Sequence, residues 1–175
     1  MSELAATAAS RASGAAAART RPGHYRGAVI GLGGIARQSH LPGFAFDDAT
    51  RARFDIVATV DASPDVVPLP GVPQLGSRDA LRSVGDIDFV DICTPTSSHL
   101  DLTVWSLEQG YHVLCEKPVA LTTRDARRIA DASRAAGRVV MPCHQYRFNP
   151  VWVQLRAWLA EGAIGRWHLA ELHVH

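Results

Sequence analysis

Apolar residues in this chain fall into short dense runs, separated by longer stretches in which they recur every three or four positions. The dense runs predict strands at Arg26–Gly31, Phe54–Asp61, Phe89–Thr94, His112–Glu116 and Arg138–His144, with a weaker one at Pro73–Leu75. Phe-Val-Asp-Ile-Cys and His-Val-Leu-Cys are nearly continuous in apolar residues, as parallel strands covered on both faces require. The spaced stretches predict helices. Thr96–Gln109 sets Leu100, Val104 and Leu107 along one side, and Gly110 follows as a stop. Thr122 with Asp125 resembles a capping box with Asp in place of Glu, and Gly137 ends the helix it opens. Asn149 is an N-cap followed by Pro150 at the first helical position; Leu155 and Leu159 line that helix and Gly162 stops it. Trp167–His175 reads as one further strand. The alternation predicts an α/β fold, a doubly wound parallel sheet with right-handed crossovers. About six strands before Gln145 supply both mononucleotide-binding halves of such a domain.

The first strand runs straight into Gly31-Leu32-Gly33-Gly34-Ile35-Ala36, a G-x-G-x-x-A turn. Gly31 permits the tight turn, Gly33 lets backbone amides approach a pyrophosphate, and small Ala36 lets the helix pack close to the strand. Pro42 limits or kinks that helix. Asp61 ends the second strand, where a carboxylate accepts from both ribose hydroxyls of NAD and repels a 2′-phosphate. No basic residue follows it closely, so NAD is favoured over NADP; a solvated turn aspartate is the plain alternative. Thr94-Pro95-Thr96-Ser97-Ser98-His99 follows the fourth strong strand. Thr96 or Ser97 would cap the next helix, with His99 in its first turn near the cofactor or else on the surface.

Composition narrows the field. The 175 residues carry a formal net charge of +1, with no basic stripe for nucleic acid. No apolar run approaches the ~20 residues of a membrane span. Cys93, Cys115 and Cys143 are odd in number, lack CxxC spacing and end apolar runs. They read as core residues in a reducing cytoplasm rather than disulfides or a zinc knuckle. His173 and His175 share a strand face without a third ligand, so no metal site is expected. Residues 1–24 are rich in Ala and Arg and read as a disordered tail. Lys117 is the only lysine among eighteen basic side chains, and it closes the run Tyr111–Pro118. Arginine cannot supply a compact, titratable ammonium. Glu116 and Lys117 are adjacent in a strand and point to opposite faces, so Glu116 reads as a structural acceptor rather than the ammonium's partner.

Gly31–Ala36, Thr94-Pro95 with His99, Cys115-Glu116-Lys117-Pro118 and Tyr146-Arg147-Phe148-Asn149-Pro150 together resemble the Gfo/Idh/MocA family of dinucleotide-dependent oxidoreductases. The resemblance implies a Rossmann-like domain, residues 25–144, followed by the start of a second α/β domain, residues 145–175. It implies NAD(P)-dependent hydride transfer on a small sugar, cyclitol or polyol, in a form that is homo-oligomeric at full length. It also implies that Lys117 stands at the nicotinamide–substrate junction. The cofactor side would comprise Gly31, Gly33, Gly34, Ile35, Ala36, Asp61, Thr94, Pro95, His99, Glu116 and Lys117. His144, Tyr146, Arg147 and Asn149 would lie on the substrate side. The family's catalytic Asp…His pair belongs further along than His175, so the chain reads as truncated. A dinucleotide-binding sensor without catalysis is the competing function.

Overall fold

The computed structural model describes residues 23–171. The expected tail, apart from Gly23 and His24, and the His173/His175 pair lie outside the described residues. Those described fall into two compact units divided between Pro142 and Cys143.

The first unit is built on six parallel strands: β1 (Tyr25–Ile30), β2 (Phe54–Val60), β3 (Gln74–Leu75), β4 (Phe89–Ile92), β5 (His112–Cys115) and β6 (Val140–Pro142). Their order across the sheet is β3-β2-β1-β4-β5-β6. The chain therefore builds outward from β1 in one direction, then restarts beside β1 with β4. That reversal is a topological switch point, and it opens a crevice beyond the carboxyl ends of β1 and β4. The α/β doubly wound parallel sheet expected from the sequence is the fold observed.

Side chains alternate between two covered faces. Ala28, Ile30, Ala58, Val60, Val90, Ile92, Val113 and Cys115 share one core with Leu81, Trp105 and Leu107. Val29, Leu32, Ala36 and Cys93 form the other, with Leu41 and Ile56 packed against it. The His99–Glu108 helix covers the first core. Its fully enclosed positions are His99, Thr103, Ser106 and Leu107, whereas Leu100 and Val104 of the expected apolar stripe are only half-buried. Small Thr103 and Ser106 let this helix lie close to the sheet. The Thr123–Ala136 helix is capped as expected: the Thr122 hydroxyl accepts from the Asp125 amide, and Gly137 takes a left-handed conformation.

Across the opposite face runs the first helix, a π turn at Ala36–His40 continuing into Leu41–Phe44. The Leu41 amide donates to the Ala36 carbonyl, five residues back. Pro42 has no amide, and its ring crowds the carbonyl four residues earlier in an ordinary α-helix; the wider turn accommodates it without ending the helix. No regular helix forms between Asp61 and Gln74, where four prolines remove donors.

The helix ends in an aromatic cluster over the amino ends of the strands. Phe44 lies 5.8 Å from Phe54 and 5.6 Å from Phe89, and Tyr25 stacks on Phe54 at 5.7 Å. The Phe89 ring covers Gly27 so closely that an added Cβ would meet it at 2.2 Å.

The second unit holds a 3-10 turn, Gln145–Phe148, and the Pro150–Ala160 helix. The Asn149 side chain accepts from the Val151 amide, as the Asn-Pro pair predicts. Trp167–Glu171 form no strand, contrary to expectation. An isolated strand leaves its backbone groups unpaired, and the described residues of the second unit hold no strand for this segment to pair with. Among the described residues, no helix is long and apolar enough to cross a membrane.

Gly27→Ala should destabilise the first unit by about 1–3 kcal/mol, because the Phe89 ring is wedged between other rings and cannot yield. A urea midpoint equal to that of the native chain would contradict this packing.

Candidate functional site

The carboxyl ends of β1 and β4 touch at Gly31. Its φ is +90°, and an added Cβ would lie 2.8 Å from Thr94 Cγ2 and 3.0 Å from the Cys93 carbonyl carbon. Only glycine fits there on both counts. The outer side of the turn is open, with no protein atom within 4 Å of a Cβ built on Gly33. The Arg37 amide donates to the Gly33 carbonyl at 3.2 Å, so the amides of Gly33, Gly34 and Ile35 come before the first internal donor and are left for an outside acceptor. Ala36 is fully buried beneath them. This arrangement fits an anionic diphosphate: free amides, a bare approach and the positive end of a helix.

Asp61 closes the turn. One carboxylate oxygen accepts from the Leu32 amide at 2.8 Å and the other from the Ser63 amide at 2.9 Å. The sequence reading missed Arg37, whose Nε donates to the Leu32 carbonyl at 2.9 Å while a terminal nitrogen donates to the Val67 carbonyl. That guanidinium is committed to two backbone carbonyls, those of Leu32 and Val67.

The second part of the site lies beyond β4 and β5. Thr94 and Pro95 form the strand-four exit, yet neither Thr96 nor Ser97 caps the helix that follows. Instead Ser98 Oγ lies 2.7 Å from Thr94 Oγ1 and 2.8 Å from the Pro95 carbonyl oxygen. His99 is 1% exposed. Its Nδ1 is 2.9 Å from the Pro118 carbonyl oxygen and its Nε2 is 2.8 Å from that of Thr94. His99 is therefore neither a surface residue nor open to a cofactor; it braces the ends of β4 and β5 from within.

Lys117 follows β5, joined to Pro118 by a cis peptide bond. Lys117 is exposed, and its side chain has no hydrogen bond or ion pair among the described residues. Glu116 next to it is buried, and its Oε2 accepts from the Lys117 backbone amide at 2.9 Å. Its other oxygen, Oε1, lies 3.0 Å from His40 Nε2. Both oxygens are thus engaged inside the protein. Glu116 accepts within the protein, from the Lys117 amide with one oxygen and at the His40 ring with the other.

His40 is the main residue that the sequence reading overlooked. It stands in the π turn with Nδ1 2.8 Å from Asp91 Oδ2, on the opposite side from Glu116. Hydrogen bonding to Asp91, the charge of Asp91, and the bond to and charge of Glu116 together raise His40 to about 9, against the desolvation that lowers it. The ring is therefore an imidazolium at neutral pH. The available signal was Asp91, an acid inside an apolar strand, which needs a buried donor. His40, Asp91 and Cys93 bring potential metal-ligand atoms within 4.8 Å of one another, and His40 directs both ring nitrogens to the Asp91 and Glu116 carboxylates. None of the three cysteines forms a disulfide, and Cys93 and Cys115 are buried. Burial pushes the Cys115 thiol up to about 11, so it is no nucleophile at neutral pH.

The remaining sequence candidates stand in the second unit. The His144 carbonyl accepts from the Arg147 amide at 2.9 Å, and Tyr146 is 63% exposed. Asn149 uses its side-chain oxygen to cap the Pro150–Ala160 helix.

Residues 25–144 match the GFO_IDH_MocA family, described as an oxidoreductase family with an NAD-binding Rossmann fold. D-glucoside 3-dehydrogenase of Escherichia coli (strain K12) is 31% identical over 150 residues, which is 80% of this chain and 40% of that protein. D-apiose dehydrogenase of Paraburkholderia graminis is 35% identical over 147 residues, 81% of this chain and 38% of that protein. A solved oxidoreductase from Agrobacterium radiobacter, in complex with NAD+, L-tartaric acid and magnesium, superimposes with a TM-score of 0.72 at 28% identity. That match covers 82% of this chain and 42% of the solved one. The chain thus spans about two fifths of the length of the relatives it matches. With the open glycine turn, the acid after β2 and the Glu-Lys-Pro turn all in one parallel sheet, the chain belongs to the Gfo/Idh/MocA oxidoreductase family and carries its NAD-binding Rossmann fold.

Proposed function

We propose that this chain supplies the cofactor site and the reacting lysine of an NAD-dependent oxidoreductase acting on a sugar-, cyclitol- or polyol-like substrate. The observation that carries this reading is the Lys117 ammonium, exposed and unpartnered among the described residues, at the carboxyl end of the sheet that holds the open glycine turn. An exposed ammonium without an ion partner beside a dinucleotide turn has donors to spare for a substrate oxygen.

NAD, when bound, supplies a nicotinamide C4 that takes or gives hydride. The chain's own residues prepare that exchange. Amides of Gly33, Gly34 and Ile35 bind the diphosphate, and Asp61 accepts from ribose hydroxyls with its remaining lone pairs. Gly31 and Thr94 make the floor of the crevice, and Pro95 stiffens its wall. Lys117 hydrogen-bonds the substrate oxygen, holds the negative charge that develops there and passes its proton. The relatives named as glucoside and apiose dehydrogenases support a polyhydroxylated substrate, whose carbinol carbon donates hydride in oxidation and whose carbonyl carbon accepts it in reduction.

NAD is the preferred dinucleotide on two grounds. The Asp61 carboxylate repels a 2′-phosphate, and the nearby Arg37 guanidinium is tied to the Leu32 and Val67 carbonyls. NADH should bind at least about tenfold more tightly than NADPH, roughly 1.4 kcal/mol, when each is titrated by fluorescence. Asp61→Asn, which keeps an acceptor for the Leu32 amide, should narrow the gap. Tighter NADPH binding by the native chain would refute the preference.

In a form of the protein that turns over a polyol, Lys117→Ala should lower kcat by about 10²–10⁴-fold and leave the NADH dissociation constant nearly unchanged. Lys117→Arg should not restore the rate, because a guanidinium neither releases its proton nor matches the ammonium's size. Near-normal kcat in Lys117→Arg would overturn the role given to this lysine.

A further inference from the structure

Lys117 owes its place to groups on other elements. Its backbone amide donates to Glu116 Oε2 at 2.9 Å, while Glu116 Oε1 meets His40 Nε2 at 3.0 Å. His40 is held in turn by Asp91 Oδ2, 2.8 Å from Nδ1, on a carboxylate that is fully buried. Carboxylate oxygens only accept, so a ring that serves both carries a proton on each nitrogen. A glutamate side chain has several freely rotating bonds. The bond from His40 fixes one oxygen and so aims the other at the Lys117 amide.

We infer that His40 is a positioning residue for Lys117: acting through Glu116, it fixes the backbone from which the lysine side chain departs. The π turn that carries His40 also begins at the glycine loop, at Ala36. One rigid piece of chain therefore sets both the diphosphate donors and, across the sheet, the direction of the lysine. His99 secures the other side of the same turn through the Pro118 carbonyl, independently of His40. The functional consequence rests on the role proposed for Lys117, but the physical linkage does not, and it is measurable without turnover or cofactor.

Within the first unit, the groups facing His40 are Asp91 and Cys93 from the β4 region and Glu116 beyond β5. Arg37 of the same turn directs its guanidinium to the Leu32 and Val67 carbonyls instead. With His40 raised from 6.5 to about 9, its contribution to stability is whole below about 6.5 and is lost as pH rises through about 9. The bridge to Glu116 is therefore intact at neutral pH and loses its charge in mildly alkaline solution.

Because Lys117 is the only lysine in the chain, growth on [13C,15N]lysine places one labelled backbone site in the protein, readable by carbon-detected NMR. The Lys117 nitrogen and carbonyl signals should shift with a midpoint near 9, the value at which His40 loses its proton. The Cε signal in the same sample reports the ammonium separately. His40→Gln should displace the neutral-pH backbone signal and abolish that inflection, whereas His99→Gln should retain it. The native titration needs no variant, so an unfolded His40→Gln protein leaves the test intact. A native backbone signal with no inflection near 9, or an inflection that survives in folded His40→Gln, would overturn the inference. Either result would leave NADH binding and the role of the Lys117 ammonium to stand or fall on their own measurements.

Discussion

An acid enclosed in the middle of an apolar strand is tolerable only beside a fixed cation, and the pairing of Asp91 with His40 meets that condition. Asp91 is fully buried on β4, and burying an uncompensated carboxylate costs several kcal/mol. The compensating charge comes from a helix on the face of the sheet, at 2.8 Å. Because the same ring reaches Glu116, the helix is pinned at once to β4 and to the exit of β5. Phe44 anchors its far end in the aromatic cluster over the amino ends of the strands. The helix cannot slide or rotate without breaking one of these attachments, and the glycine turn at its start is held in register with the crevice.

Local signals in the sequence reported local structure well. Dense apolar runs marked the strands, because parallel strands buried on both faces leave no room for alternation. Thr122 with Gly137, and Asn149 with Pro150, marked helix ends through bonds that span two or three residues. Gly31 was legible because a positive φ at the end of a strand requires glycine. The contacts that escaped were long-range. His40 meets partners 51 and 76 positions away, and a lone histidine after a glycine turn gives no hint of them. His99 was placed in the right turn but with the wrong exposure, since the apolar stripe of its helix does not coincide with the face the sheet encloses. Trp167–Glu171 had the composition of a strand, but among the described residues of the second unit there is no strand for it to pair with.

The solitary lysine was conspicuous by composition, yet composition says nothing about what holds it. Two histidines do so, one from each face of the strand ends: His40 through Glu116 to the amide, and His99 to the carbonyl of Pro118. Neither needs to touch a ligand to matter. Division of labour of this kind keeps the ammonium itself unencumbered, with its donors directed outward, while the buried groups absorb the cost of fixing it. The glycine turn, the acid after β2 and the lysine then converge on one edge of one sheet, as expected where an open α/β sheet reverses its strand order.

The role proposed for Lys117 requires its ammonium to face the nicotinamide end of the bound dinucleotide. Its Cε signal is the only lysine side-chain signal the chain can give, so that contact can be read directly by NMR. Saturating NAD should shift the Lys117 Cε and its protons, while ADP-ribose, which occupies the same diphosphate and ribose subsites without the nicotinamide ring, should leave them nearly in place. Equal shifts with the two ligands, or no shift while NAD is demonstrably bound, would contradict the account.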